Sequence, residues 1–277
     1  MPISDSLASS PLRQVPAVRF AIISDIHAND DALRAVLADI DERGEREILC
    51  LGDLVGFNAF PRETLELLRE RRIPSVYGDH DLMALGWLPL EGAPQAQAAM
   101  RWTRSTLRAG DLDYLSSLPA SLRPRADMLC VHATLEDPRE RLQEPLAFHR
   151  AADQMRRNDG GIRTCFTGHT HVAELVVVQP WGEIVRHAGE GSMRLRPNSW
   201  LFINPGAVGH ANGDDWRAAY AAFDPRTRRV EFRRVAYRRD RVLEENARLG
   251  LLPLDPWWFT RGRSAVPRVP PPTSAGE

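Results

Sequence analysis

The sequence predicts an α+β fold with two sheets, and three observations carry that prediction. Up to Tyr77, short apolar runs of strand length alternate with helix-patterned segments. After His171 the pattern changes to strand-like runs joined by turns such as Pro180-Trp181-Gly182 and Asp224-Pro225. Five of the apolar runs, moreover, end in clusters of Asp and His, as buried strands do when they deliver side chains to one edge of a sheet.

The elements follow in order. Residues 1–16 are polar with Pro and Ser and read as a flexible tail; residues 18–23 form the first predicted strand. Asn29 is placed to cap a helix through Asp39, with Asp30 and Asp31 in its first turn and Gly44 just past its end. Residues 47–51 are the second strand. Pro61 opens a helix with Leu65, Leu67 and Leu68 on its apolar face, and residues 74–77 are a third strand. This alternation predicts parallel pairing through right-handed crossovers.

Residues 79–118 read as mainly helical, with Trp87, Met100, Trp102 and Leu107 as apolar contributors. A strand over 127–131, a helix over 143–157 and a strand over 163–167 follow. Beyond them, residues 174–179, 183–187, 199–203, 218–223 and 230–235 are expected to build a second, more antiparallel sheet packed on the first. A helix over 240–249, with Gly250 past its end, completes a single domain over 17–250. Residues 251–277, with Pro267 and Pro270 to Pro272, read as a partly disordered extension.

Composition narrows the function. The 277 residues are 43% hydrophobic and 26% charged, with a formal charge of −1, so a general nucleic-acid coat or a polybasic membrane binder is not expected. No run nears the ~18 apolar residues of a membrane span, and the N-terminal stretch lacks the pattern of a signal peptide; the expected location is the cytoplasm. Every basic residue is Arg, which excludes lysine chemistry such as a Schiff base or a P-loop lysine. Cys50, Cys130 and Cys165 lie inside apolar runs and read as small core residues rather than ligands or disulfide partners.

The clusters carry the chemistry. They are Asp25 and His27; Gly52 and Asp53; Gly78, Asp79, His80 and Asp81; His132; and Gly168, His169, Thr170 and His171. They take five of the eight His; His149, His187 and His210 lie outside, with surface or packing roles expected. Gly52, Gly78 and Gly168 precede ligands where the backbone must bend beside a crowded site. Carboxylate and imidazole donors suit first-row ions such as Mn, Fe, Co, Ni or Zn. The donors exceed what one tetrahedral ion needs, whereas two ions ~3.5–4 Å apart, sharing one carboxylate, use them all and clamp a phosphoryl group for in-line attack by a hydroxide held between them.

This ordered set resembles the calcineurin-like metallophosphoesterase superfamily. Residues 25–29, Asp-Ile-His-Ala-Asn, and residues 204–209, Asn-Pro-Gly-Ala-Val-Gly, resemble its small bacterial phosphodiesterase-like branch. The resemblance implies a four-layer α/β/β/α sandwich of two mixed sheets with helices outside. It also implies two divalent metal ions, manganese first among the candidates. Asp25, His27 and His171 would hold one ion, Asp79, His132 and His169 the other, and Asp53 would bridge them. His80 would protonate the leaving-group oxygen, with Asp81 either orienting its imidazole or merely capping the helix that follows; imidazole suits proton donation near neutral pH.

Two departures set the expected specificity. Asp79 stands where the family usually has Asn, adding a negative charge and removing an N–H donor. A third carboxylate and a hydroxide would leave two divalent ions near neutrality and disfavour a dianionic monoester relative to a monoanionic diester; the alternative is that Asp79 simply replaces Asn as an oxygen ligand. The second motif lacks the Arg with which protein phosphatases of the superfamily grip phosphate. The expectation is a metal-dependent phosphodiesterase acting on a small, nucleotide-like phosphoester, with a homodimer as the prior for assembly. A phosphomonoesterase or nucleotide/phosphoprotein phosphatase, or a scaffold that has lost catalysis, are the alternatives. Arg217 is expected to pair with phosphate or with Asp215; Phe57, Phe60, Trp87 and Trp102 are expected to pack in the core rather than line a pocket.

Overall fold

The computed structural model describes residues 19–158, 161–188, 191–194, 198–211 and 215–251. The expected tail and most of the C-terminal extension, including the prolines 267 and 270–272, lie outside the described residues. In chain order the elements are β1 (Phe20–Ile23), α1 (Asp30–Glu42), β2 (Glu47–Cys50), α2 (Pro61–Glu70), α3 (Asp79–Leu85), α4 (Pro94–Thr106), α5 (Ala109–Ser117), β3 (Ser121–Leu122) and β4 (Met128–Val131). Then come α6 (Pro145–Asn158), β5 (Thr164–Phe166), β6 (Ala173–Val178), β7 (Ile184–Ala188), β8 (Gly191–Arg194), β9 (Trp200–Pro205), β10 (Ala218–Asp224), β11 (Arg229–Val235) and α7 (Asp240–Arg248).

Strand alternation builds the layers. On β1, Phe20 and Ile22 face the other sheet while Ala21 and Ile23 face helices; on β6, Leu175 and Val177 face inward while Val176 and Val178 face α6. The inner cluster, with Met128, Phe166, Leu201, Phe223 and Phe232, joins sheet to sheet. A second cluster packs Leu33, Val36 and Ile40 of α1 and Leu65 and Leu68 of α2 against the first sheet. A third packs Phe148, Ala151 and Met155 of α6 against the other. The result is the α/β/β/α sandwich of two mixed sheets expected for the superfamily.

The division of strands between the sheets differs from the sequence-based expectation. Among the described residues one sheet runs β2-β1-β10-β11-β8 and the other β3-β4-β5-β9-β6-β7. Only β2 lies parallel to β1; the other edge of β1 takes β10, antiparallel and from the C-terminal half. The parallel pairs β4–β5 and β5–β9 belong to the second sheet. Local pattern reports strand faces and not partners, so the interleaving of the two halves escapes it. The predicted strand over 74–77 shrinks to a single parallel bridge between Cys50 and Ser75. After Val76 donates to the Cys50 carbonyl, the Tyr77 amide turns away to Pro119, and the chain leaves the sheet.

Helix ends follow the predicted chemistry. The Asn29 side chain accepts from the Ala32 amide at 3.1 Å, capping α1, and Gly44 sits past its end with φ +71°. Trp87 departs from its expected core role: it is 61% exposed, just beyond the left-handed Gly86 that ends α3.

Candidate metal centre

The carboxyl ends of β1 and β2, the start of α3, and the ends of β4 and β5 converge at one rim of the sandwich. The pairing of β1 with β2 continues past the strands: the Asp25, His27 and Ala28 amides donate to the Gly52, Asp53 and Leu54 carbonyls at 3.0, 2.9 and 3.0 Å. Across the sheets, the His169 amide donates to both oxygens of Asp25, 3.1 Å each. Asn204 on β9 donates to the Gly168 carbonyl at 2.7 Å, and the Gly209 amide donates to the Asp25 carbonyl at 3.0 Å. Five of the candidate ligands, Asp25, His27, Asp53, His169 and His171, have left-handed backbones with φ between 48° and 64°. Such conformations are costly for residues with a Cβ and persist where surrounding bonds enforce them.

These elements bring the candidate ligands into two groups. Asp25, His27, Asp53 and His171 form one, and Asp53, Asp79, His132 and His169 the other; in each, one donor atom per residue lies within 4.8 Å of the rest. Asp53 Oδ2 joins them, 3.6 Å from His27 Nε2 and 3.4 Å from His132 Nε2. Its Oδ1 accepts from the His80 amide at 2.9 Å. Asp79 Oδ1 lies 3.2 Å from His132 Nε2 and 3.1 Å from His169 Nδ1. Asp25 and His27 are fully buried, whereas Asp79 and His169 keep an open edge. Solvent therefore reaches the centre from the side of the second group.

Each imidazole is oriented from behind by a main-chain carbonyl, which can only accept. His27 Nδ1 donates to Val55 (3.3 Å), His132 Nδ1 to Leu51 (2.8 Å), His171 Nδ1 to His210 (2.7 Å) and His169 Nε2 to Arg139 (3.1 Å). The opposite nitrogen of each ring then faces the group, and offers it a lone pair wherever the ring is neutral. His27 Nε2 and His171 Nε2 face each other at 3.1 Å, an arrangement that needs a proton or a metal ion between them.

Electrostatics point the same way. Burial, with His80, His171 and His210 close by, holds His27 well below its ordinary pKa, so its imidazole is neutral. Burial would lower His132 as well, but the Asp53 and Asp79 carboxylates outweigh it and hold it well above. Burial would raise Asp79, but His132 and His169 outweigh it and hold it well below the usual carboxylate range. Clustered carboxylates that retain a positive group in their midst, with imidazole lone pairs aimed inward, fit divalent first-row cations. The three cysteines join neither group. All are buried, with the Cys50 and Cys165 thiols pushed up to about 12 by burial, as core residues should be.

Asp81 is a correction. Its Oδ1 accepts from the Leu54 and Val55 amides at 2.9 and 3.2 Å, and its Oδ2 from the Gly78 amide at 2.9 Å. With both oxygens taken by main chain, it caps α3 and clamps the Asp53 loop rather than orienting His80. His80 Nδ1 is buried with no hydrogen-bond partner among the described residues. The ring is held by packing instead, 4.7 Å from His27 and 4.5 Å from Phe57, centroid to centroid, and against Gly56, where a Cβ would collide with it.

The remaining candidates divide. His210 supports the centre through its carbonyl, and its buried ring stacks on Phe57 at 4.9 Å. Phe60 lies beneath the Arg241 guanidinium at 3.9 Å, and Trp102 packs with Ala59, Ala99 and Leu251. Arg217 pairs with Asp215 at 2.8 Å. His149 and His187 belong to neither metal group. Sequence reasoning missed Gly56, Asn58 and Asn246, which no motif marks.

Fold and donor set define a protein built to hold divalent cations at the rim of a two-sheet sandwich. The chain belongs to the calcineurin-like phosphoesterase superfamily, whose domain profile matches residues 18–228. It is 35% identical over 221 residues to an uncharacterized protein of Methanocaldococcus jannaschii, covering 78% of this chain and 87% of that one. A metallophosphoesterase structure from Sphaerobacter thermophilus superposes with a TM-score of 0.72 at 35% identity, over 85% of this chain and 95% of that one. A hypothetical protein of Pyrococcus horikoshii shares the fold at 18% identity, with a TM-score of 0.69 over 84% and 94% of the two chains. Membership makes this chain a metal-dependent hydrolase of phosphoric esters. Among the described residues, no helix is long and apolar enough to cross a membrane.

Proposed function

We propose that this chain hydrolyses small phosphodiesters at a pair of divalent cations, with manganese the first candidate. Asp25, His27 and His171 would hold one ion, Asp79, His132 and His169 the other, and Asp53 would serve both. When bound, such ions activate water at neutral pH and neutralise charge on the phosphoryl group.

The chain's own residues supply the rest. The His80 amide donates to Asp53 Oδ1, which ties the proposed proton donor to the residue common to both metal groups. With Nδ1 buried against Gly56, Nε2 is the nitrogen left to protonate the leaving-group oxygen. The same open edge that exposes Asp79 and His169 admits the substrate.

One observation carries the diester preference: the side chain at position 79 faces His132 and His169 through a carboxylate oxygen. A third carboxylate beside Asp25 and Asp53 lowers the positive field available to a dianionic monoester more than to a monoanionic diester. The test is kcat/KM on bis-para-nitrophenyl phosphate against para-nitrophenyl phosphate, in the wild type and in Asp79→Asn. The expected result is a diester preference that shifts toward the monoester in the variant. An unchanged ratio refutes the charge argument, a wild-type monoester preference supports the phosphatase reading, and turnover of neither by the metal-loaded protein supports the scaffold reading.

A further inference from the structure

The C-terminal helix α7 buries two residues, Val242 and Asn246, one turn apart on the same face. The helix lies beyond residue 228, where the family match ends. An amide on the buried face of a helix is expensive unless fully bonded. Asn246 Oδ1 has no hydrogen-bond partner among the described residues, so the side chain is held by one bond, from Nδ2 to Asn58 Oδ1 at 2.8 Å. Packing alone favours an apolar residue at such a position.

The bond has a direction. The His27 carbonyl can only accept, and it takes the Asn58 side-chain Nδ2 at 2.7 Å and the Asn58 amide at 3.3 Å. That turns Asn58 Oδ1 toward α7, where Asn246 must present an N–H. His27 is thereby pinned on both sides, its amide to Asp53 at 2.9 Å and its carbonyl to Asn58, in the left-handed conformation (φ 48°) that aims its imidazole into the first metal group. A parallel contact ties the same loop to the segment before α7. Asn29 donates to Tyr237 Oη and to the Gly209 carbonyl, 3.0 Å each.

We infer that Asn246 is a positioning residue of the metal centre, acting through Asn58 on the main chain of His27, so that α7 sets the affinity of the group Asp25, His27, Asp53 and His171 for its ion. The inference rests on the two-cation reading above. Bonds behind a ligand fix its orientation, and losing them typically costs about tenfold to a hundredfold in metal affinity.

The test is a manganese titration of the chelator-stripped full chain, with free Mn(II) read by electron paramagnetic resonance. The wild type is expected to take up two ions. In Asn246→Asp, which sets a carboxylate against Asn58 Oδ1, and in Asn246→Leu, which removes the donor, one uptake step weakens by about tenfold or more while the other holds. Val242→Ala loosens the same helix without touching the amide relay, so it should lower the melting temperature and leave both steps intact. The inference is overturned if either Asn246 variant keeps both affinities, or if Val242→Ala weakens uptake as much as they do. Failure of the wild type to take up two ions defeats the two-cation reading itself, and is seen before any variant is compared.

Discussion

Gly56 lies directly beneath the imidazole of His80: a Cβ at Gly56 would collide with Nδ1 and come within 3.3 Å of Cγ. Among the described residues no carboxylate or carbonyl holds that nitrogen, so the glycine backbone and the Phe57 ring set where the proton donor points. Gly56→Ala must displace the ring or open a turn whose φ is +95°. The expected result is a fall of roughly 10²-fold in turnover of diesters with alkyl leaving groups, which need a proton, and a much smaller fall for para-nitrophenyl diesters. His80→Ala defines the limit of that ratio. A wild-type ratio in Gly56→Ala means that contact with Gly56 does not place the donor.

Asp81 has a different duty, and its variant should show a different phenotype. Its carboxylate accepts from the amides of Leu54, Val55 and Gly78. Asn keeps one accepting oxygen and turns an NH2 toward the remaining N–H. Asp81→Asn is therefore expected to lose about 2–3 kcal/mol of stability in urea unfolding, while the ratio between alkyl and aryl leaving groups stays that of the wild type. A selective loss on alkyl leaving groups would restore the orienting role that the geometry denies.

Two glycines make room for carboxylates. Gly78 and Gly168 both have ordinary φ, yet a Cβ on Gly78 would strike Asp53 Oδ1, and one on Gly168 would strike Ser24 Oγ and lie 2.8 Å from Asp25 Oδ2. Gly168→Ala is expected to displace Ser24 and, among the candidate ligands, Asp25, weakening one manganese uptake step. Gly78→Ala displaces Asp53, common to both groups, and should weaken two. Equal effects from the two variants would argue against Asp53 as the shared ligand.

The positions of the candidate ligands were legible in the sequence because each strand-end cluster is contiguous: the seven side chains named from motif order meet in the two groups. The roles of the glycines were half legible. Gly52 bends as expected, with φ +96°, but Gly78 and Gly168 serve close approach, which depends on residues far away in the chain. For Asp81 the capping reading holds and the orienting one does not, because motif order places it beside His80 without saying which way its oxygens face. Asn58 and Asn246, 188 positions apart, carry no local signal at all; only the folded chain sets one against the other. Sheet membership failed for the same reason, since the apolar pattern of β10 contains nothing that names β1 as its neighbour.

Acid should expose a half-buried network, remote from the metal groups. Asp39 Oδ2 on α1 accepts from Tyr220 Oη at 2.5 Å and from Arg43 Nε at 2.9 Å, and Tyr220 in turn accepts from Arg233 Nη1 at 2.9 Å. Burial would raise the Asp39 carboxyl, but the bonds from Arg43 and Tyr220 outweigh it and hold it below its usual 3.8. A carboxyl whose folded pKa lies below its unfolded one adds stability that is complete above the unfolded value, and that vanishes as pH falls through the folded value. Asp39→Asn is therefore expected to cost about 1–2 kcal/mol at neutral pH, with the gap to wild type closing below roughly pH 4. Urea unfolding of both proteins from pH 7 down to the acid limit of folding measures it. A gap that is constant with pH would assign the loss to packing around Tyr220; one that widens in acid would mean that the folded state holds the proton on Asp39 more tightly than the unfolded chain, the reverse of what these hydrogen bonds require.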